Sequence, residues 1–550
     1  MKCKSFNRAL AVLLSLMLIV CFFPTTVFAA NSTGIKVNGV DIVNAPNYTV
    51  ECGDGTAVYD PSDNVLTLEN ATITRTDTTI PISFYGGDLT ILLKGSNTIT
   101  TPDGGIVGYR GNVIFKSEGN GSLTINSSGL FGVYCDDNAE TSGHITVDGA
   151  TLNINTTSDD AQGLHALRSV TIKNNANVTL TGAGTNYFCI YAEEDLSIAD
   201  STLNATLNSA DGGNTVVSYG NISIERSTVN VTTRANNIAL AAINGLSISD
   251  NSQVTVKSNG NASAVYTPQN LTVSDSILKA ESSQIAIRNG GAMHIVNSTV
   301  EATCKGNPVT DSLHSEDTIS IEGNSDVLVK GKISAVNGVS IVPSSETFID
   351  VKVGMKENGE EGTSLFEGSP YKEPTTLSGL SAYTYVHILK HTHTYDQDDV
   401  SDAYKASAAT CTAPAEYYYS CVCGKAGTST FTSGTATGHT AGTAWESDEN
   451  VHWNECVNCG DKMNEAAHTF EWVTDKEATA TEAGSKHEEC TVCGYVGTTE
   501  TIAATGTTDD TDVPQTGDNS NLALWIAVMF AAGAALTGTA VYSRKRKYSK

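Results

Sequence analysis

The chain is 550 residues long, more than one ordinary domain. Its 60 acidic residues outnumber 32 basic ones, for a formal net charge of −28. Such a surface repels nucleic acid and anionic polymers, which excludes polynucleotide partners and argues against polyuronate substrates unless calcium bridges them.

Residues 1–29 have the parts of a secretory signal peptide. Lys2, Lys4 and Arg8 form a charged start, Leu10 to Phe23 an apolar run, and Val27-Phe28-Ala29 a small-residue cleavage site. Residues 30–64 read as an N-terminal cap, with strand-like Ile35-Lys36-Val37 and Tyr48-Thr49-Val50 leading through Gly53-Asp54-Gly55. A repetitive fold needs such a cap because its end repeats expose unpaired strand edges.

From Val65 the sequence repeats. Short apolar-alternating strands begin at Ile145, Val170, Leu196, Ile222, Leu246, Leu271, Met293 and Ile319, in steps of 22 to 26 residues. Each is followed, after a polar turn, by a second strand from Leu152, Val178, Leu203, Val229, Val254, Leu278, Val300 or Val327. A third short strand completes the unit, as in Leu164-His165-Ala166-Leu167, Cys189-Ile190-Tyr191, Val216-Val217, Ile238-Ala239-Leu240, Val265-Tyr266 and Ile285-Ala286-Ile287. A unit of about 24 residues cannot bury its apolar face alone, so stacking predicts an all-β parallel β-helix (β-solenoid). Roughly a dozen coils at about 4.8 Å each give a rod on the order of 55 Å. The longer step from Val113 to Ile145 predicts an insertion in one coil.

Two recurrences lie on this framework. Asn174, Asp200, Asp250, Asp275 and Asn297 fall at one turn register, where Asn and Asp tolerate left-handed backbone and can stack as a ladder. A row of carboxylates could alternatively hold calcium or act on a glycosidic bond. Tyr85, Tyr109, Tyr134, Tyr191, Tyr219 and Tyr266 each end a third strand. In Val133-Tyr134, Ile190-Tyr191 and Val265-Tyr266 an inward aliphatic would turn the ring outward, giving an aromatic strip for sugar faces. Tyrosines packed against a corner are the simpler alternative. The isolated Cys52, Cys135, Cys189 and Cys304 read as buried small hydrophobes.

The repeat dissolves near Ser344, and Phe348 to Val353 with Tyr383 to Leu389 suggest a terminal coil or hairpin closing a solenoid domain at residues 65–390. Residues 391–504 form three Cys/His-rich modules. The first runs from His393 through Cys411, Cys421-Val422-Cys423-Gly424 and Gly438-His439. The second holds His452 and Cys456-Val457-Asn458-Cys459-Gly460; the third holds His468 and Cys490-Thr491-Val492-Cys493-Gly494. Aligning the first and third modules sets Cys411 over Ala480 and His439 over Thr507, a paired loss of the kind a shared site would show. Two thiolates and two imidazoles can hold a structural, tetrahedral zinc. Cys456 and Cys459 with His468 and either His439 or His452 form the best single candidate, and Cys490 and Cys493 repeat the knuckle. Disulfides are the alternative in an extracellular compartment, and free thiols the third possibility. No His-Glu-x-x-His pattern points to catalytic zinc.

Residues 505–512 are a Thr/Asp linker, and residues 513–550 hold Val513-Pro514-Gln515-Thr516-Gly517, an apolar span at 522–542 and Arg544-Lys545-Arg546-Lys547. These three parts in order resemble the cell-wall sorting signal of Gram-positive surface proteins, Leu-Pro-x-Thr-Gly, with Val513 in the leucine position. The resemblance implies that a sortase cuts between Thr516 and Gly517 and joins Thr516 to peptidoglycan, the apolar helix tethering the chain to the membrane before sorting. Cleavage at both ends removes eight basic residues and one acidic residue, leaving 24 against 59, a net of −35. The repeats are also similar to the parallel β-helix domains of clostridial-type surface proteins, described as carbohydrate-binding and pectate-lyase-like in fold.

The expected function is therefore a monomeric, non-catalytic carbohydrate-binding protein or adhesin on the cell wall. Its expected ligand is an extracellular polysaccharide or glycan, met by Tyr109, Tyr134, Tyr191, Tyr219 and Tyr266. A polysaccharide lyase or hydrolase on the same fold, and a passive stalk or protein-binding adhesin, are the alternatives. The dense acidic candidates for catalysis, Asp159-Asp160 and Glu193-Glu194-Asp195, fall in turns.

Overall fold

Alternate residues of a strand share a face, and in this chain the apolar set of each repeat lands on the apolar set of the next. The computed structural model describes residues 33–506, apart from 137–140, 185–186, 210–212, 235, 307–309, 345–346, 356–362 and 365–369. The expected signal peptide and the sorting signal, with Thr516, Gly517 and the 522–542 span, lie outside the described residues. Among the described residues no helix is long and apolar enough to cross a membrane.

The first-strand anchors stack in parallel register as one column, Val170 on Leu196, then Ile222, Leu246, Leu271, Met293, Ile319 and Val339. The second-strand anchors form another, from Leu152 through Val178, Leu203, Val229, Val254, Leu278 and Val300 to Val327. The third strands, from Ile82–Tyr85 to Lys332–Ala335, make the remaining wall. The result is a parallel β-solenoid of about ten turns, slightly fewer than expected. The third strands Leu240–Ala242 and Ile287–Asn289 start two residues later than the sequence suggested. In the long repeat the strands Phe131–Cys135 and Ile145–Asp148 are nine residues apart in sequence.

Both ends of the solenoid change direction. At the start, Gly55–Asp60 runs antiparallel to both Thr49–Cys52 and Val65–Glu69, and Thr33–Val37 lies antiparallel on Ile82–Tyr85. At the other end Tyr385–Lys390 runs antiparallel to both Asp326–Lys330 and Ile349–Gly354.

At the turn after the first strand, Asn174, Asp200, Asp250, Asp275 and Asn297 do adopt positive φ, between 47° and 59°, and Arg226 joins them at 47°. The hydrogen-bonded ladder, however, is made by the serines that follow. The N–H of Ser201 donates to Ser227 Oγ at 3.1 Å, Ser227 to Ser252 at 3.2 Å, Ser252 to Ser276 at 3.1 Å, Ser276 to Ser298 at 3.1 Å and Ser298 to Ser325 at 3.2 Å. Serine is small enough to point inward at a corner, and its hydroxyl meets the buried N–H of the coil before it.

The core is aliphatic, and Tyr187 is its largest fully buried side chain. Gly182 makes room for it: a Cβ there would lie 2.0 Å from the ring. The Tyr187 hydroxyl and Thr156 Oγ1 are both buried without a hydrogen bond of good geometry. Tyr187→Phe is therefore expected to be neutral or to stabilise the solenoid by up to about 1 kcal/mol, since it removes an unmatched polar group. Chemical denaturation followed by far-UV circular dichroism reads this directly.

The described chain divides into two compact units. One holds the solenoid, continues through Tyr404 and adds Tyr418–Thr430. The other holds Lys405–Tyr417 and the chain from Phe431 onward. In the second unit, Ala441–Ser447, Val451–Cys456 and Lys462–Ala467 form one antiparallel sheet, and Phe470–Lys476, Gly484–Cys490 and Val496–Ile502 form another.

Candidate functional site

Three consecutive third strands carry the same pattern of burial. In Phe131–Cys135, Gln162–Ala166 and Phe188–Ala192 the first and fourth residues are half-buried, and the other three are buried. Val133, Ile190 and Val265 are fully buried, so the tyrosine after each faces away from the core. Parallel register puts Tyr134 beside His165 and His165 beside Tyr191. The rings touch in sequence, Tyr134 to His165 at 4.9 Å between centroids, His165 to Tyr191 at 4.7 Å and Tyr191 to Tyr219 at 5.6 Å. Phe131 stacks on Tyr134 at 4.6 Å and Phe188 meets Tyr191 at 5.3 Å.

Six rings thus form one patch, and Gln162 lies in register between Phe131 and Phe188. Gln162 Oε1 and both ring nitrogens of His165 have no hydrogen-bond partner in the protein. Burial pushes the His165 pKa down to about 4, so the ring is a neutral imidazole near neutral pH. Asp136 and Glu193 lie close enough to raise the Tyr134 pKa, after the larger effect of burial.

The five tyrosines expected to form one strip are not continuous. Tyr134, Tyr191 and Tyr219 belong to the patch. Tyr109 pairs with Tyr85 farther along the sheet, where the Arg110 guanidinium sits 5.5 Å from the Tyr85 ring. Tyr266 is separated from Tyr191 by Val217 and Ala241, and its next neighbour in register is Arg288. Phe131, His165 and Phe188 were missed because only tyrosines were followed. The signal was present, since Phe131 and Phe188 each stand three residues before a patch tyrosine.

Two residues of the Glu193-Glu194-Asp195 run have structural partners. Arg168 pairs with Glu194, and Asp195 Oδ1 accepts from the Asn221 N–H at 2.7 Å. In the turn row, Arg226 holds Asp200 at 2.7 and 3.0 Å and reaches Asp250 at 3.3 Å.

The cysteines and histidines beyond residue 390 gather into three groups of four: His391, His393, Cys421 and Cys423; Cys411, His439, Cys456 and Cys459; and His452, His468, Cys490 and Cys493. Within each group the donor atoms lie within 4.8 Å of one another, so each could hold a metal ion. Cys411 and His439, the pair missing from the third module, share one group. Cys456 and Cys459 take His439 together with Cys411, whereas His452 and His468 go to Cys490 and Cys493. Of the expected set of Cys456 and Cys459 with His468 and either His439 or His452, His439 stands with the two cysteines and His468 does not. The His391 group was not anticipated, because Cys421-Val422-Cys423 is one residue tighter than the other knuckles and its partner histidines sit at the solenoid's end.

All the described cysteines are free thiols. In each group one thiol is drawn below its ordinary pKa. For Cys456 the Asn458 N–H is the largest cause. For Cys421 and Cys490 burial pushes upward, but backbone N–H groups and the neighbouring imidazoles pull further down. The solenoid cysteines are different: Cys52, Cys135, Cys189 and Cys304 are buried, and burial pushes the Cys189 thiol up to about 12. They serve as small apolar side chains.

No protein-family model, curated protein or solved structure matches this chain.

Proposed function

We propose that this chain is a non-catalytic carbohydrate-binding protein, secreted and fixed to a Gram-positive cell wall through Thr516, whose solenoid presents the aromatic patch to an extracellular glycan. The observation that carries this reading is the patch itself. Six rings on one lateral face supply flat apolar surfaces for sugar C–H groups. Asp136 and Glu193 at its margin, and the overall negative charge, favour neutral glycans over uronates. Among the candidate carboxylates, Glu194, Asp195, Asp200 and Asp250 are engaged by Arg168, Asn221 and Arg226, which disfavours a catalytic role for these four. The Cys/His groups are read as structural sites, and zinc suits two thiols and two imidazoles best.

The test is a glycan array probed with residues 30–516. Retention of neutral polysaccharides is expected, with binding weakened about tenfold or more by Tyr134→Ala combined with Tyr191→Ala, a loss of about 1.4 kcal/mol. Tyr266→Ala, outside the patch, should leave affinity nearly unchanged. If no glycan is retained, or binding survives the double substitution, the reading is wrong.

A further inference from the structure

We infer that the segment from His391 to Cys493 binds three zinc ions, one in each group of two cysteines and two histidines, and that each ion fastens a module to the segment before it. This rests on the structural-metal reading above and adds the number of ions and the segments that each one joins.

The first support is what lies inside the modules. From residue 391 onward, the buried side chains among the described residues are His391, Cys411, Ala415, Ser420, Cys421, Cys423, His452, Asn454, Cys456 and Cys490. Apart from Ala415, none is aliphatic, and most are metal donors. Strand Phe470–Lys476 is exposed at every position. Small sheets of three or four strands without an apolar core do not hold together in water, and a metal ion supplies the missing energy in many small domains.

The second support is distance. Tetrahedral zinc with bonds of about 2.3 Å to sulfur and about 2.0 Å to nitrogen sets neighbouring donors about 3.5–3.8 Å apart. Cys411 Sγ and Cys456 Sγ are 3.6 Å apart, far from the roughly 2.05 Å of a disulfide. Cys490 Sγ is 3.6 Å from His452 Nδ1, Cys493 Sγ 3.5 Å from His468 Nδ1, and Cys459 Sγ 3.3 Å from His439 Nδ1. The first group is slightly tighter, with His391 Nε2 to Cys421 Sγ and His393 Nδ1 to Cys423 Sγ both 3.1 Å.

The third support is the outer contacts. A metal-bound imidazole commonly donates its second N–H to a carboxylate or carbonyl, which fixes the ring and its tautomer. His391 turns Nε2 to Cys421 and places Nδ1 2.9 Å from the Asp350 carboxylate. His468 turns Nδ1 to Cys493 and sets Nε2 2.9 Å from the Asp448 carbonyl. With both thiols ionised, a divalent ion between two neutral imidazoles gives a site of zero net charge, suited to burial.

The three groups follow one rule. Each takes a knuckle pair (Cys421 and Cys423, Cys456 and Cys459, or Cys490 and Cys493), the histidine that heads that module or closes the one before it (His393, His439 or His468), and one further donor from the preceding segment. That fourth donor is His391 at the end of the capping strand, Cys411 in the first module, and His452 in the second. The paired loss in the third module then has a reason. Ala480 stands where a donor would reach forward, and Thr507 where the next histidine would stand, and residues 508–550 contain no cysteine for them to serve.

The experiment is zinc analysis of residues 30–516 by native mass spectrometry and elemental quantification. Three zinc ions per chain are expected, and two for Cys411→Ala combined with His439→Ala. Removing zinc with a strong chelator should alter the fluorescence of Trp445, Trp453 and Trp472, all outside the solenoid, while far-UV circular dichroism keeps the solenoid signal. One or two ions in the unsubstituted chain would overturn the series but leave structural metal standing. No zinc, with each cysteine pair lighter by two hydrogens, would overturn both. Neither result depends on whether the solenoid binds a glycan.

Discussion

Phe115→Ala is expected to lower the stability of the solenoid by about 3–5 kcal/mol. Phe115 is fully buried and lies in register between Ile91 of the coil before it and Val147 of the coil after it. Those backbones are tied by ladder hydrogen bonds on both sides, so the walls cannot close over the space a phenyl ring leaves. The cost should therefore sit toward the upper part of the range for large-to-small core changes. Because each coil contacts only its neighbours, the lesion should also uncouple the N-terminal coils from the rest and broaden the transition. Far-UV circular dichroism in urea measures the shift. The four tryptophans all come after residue 390 in the sequence, beyond the solenoid, so their fluorescence transition should not move with it. A shift below 1 kcal/mol would mean that the coil interior repacks freely.

Ser252→Ala should cost about 1–3 kcal/mol, although it removes only one oxygen atom. Ser252 Oγ accepts from the Ser227 N–H at 3.2 Å and donates to the Ser249 carbonyl at 2.6 Å, in a corner closed to water. Without it the Ser227 N–H is buried and unpaired. Ser247→Ala, at an outward strand position five residues earlier, should stay within about 0.5 kcal/mol and is the matched control. Equal effects from the two substitutions would show that the corner serines fill space and do not carry the ladder.

The winding was readable because two physical signals coincided. Alternation fixed which residues point inward, and the step of 22 to 26 residues fixed which of them meet; Val178 and Leu203 had to share a column once both held. The ladder was only half legible. Asn174 and Asp200 mark a left-handed turn by residue type, whereas the serine after them looks like any polar turn residue until the coils are stacked. The aromatic patch was partly hidden for a related reason. Leu164-His165-Ala166-Leu167 reads as a plain third strand, and only its register beside Tyr134 and Tyr191 gives His165 a place in the patch. Among the Cys/His groups, spacing within a module shows which cysteines form a knuckle but not which neighbour completes it. The joint disappearance of Cys411 and His439 was the one clue that a group reaches across modules.

The reversal of strand direction at both ends has a bearing on self-association. A parallel winding left bare offers the same backbone pattern above as it accepts below, so copies could join head to tail into a filament of unlimited length. Here Thr49–Cys52 with Gly55–Asp60 stands at one end, and Ile349–Gly354 with Tyr385–Lys390 at the other. Neither hairpin repeats the hydrogen-bonding frame of the coil a second molecule would present. Along those walls, addition of a second winding by parallel pairing is disfavoured.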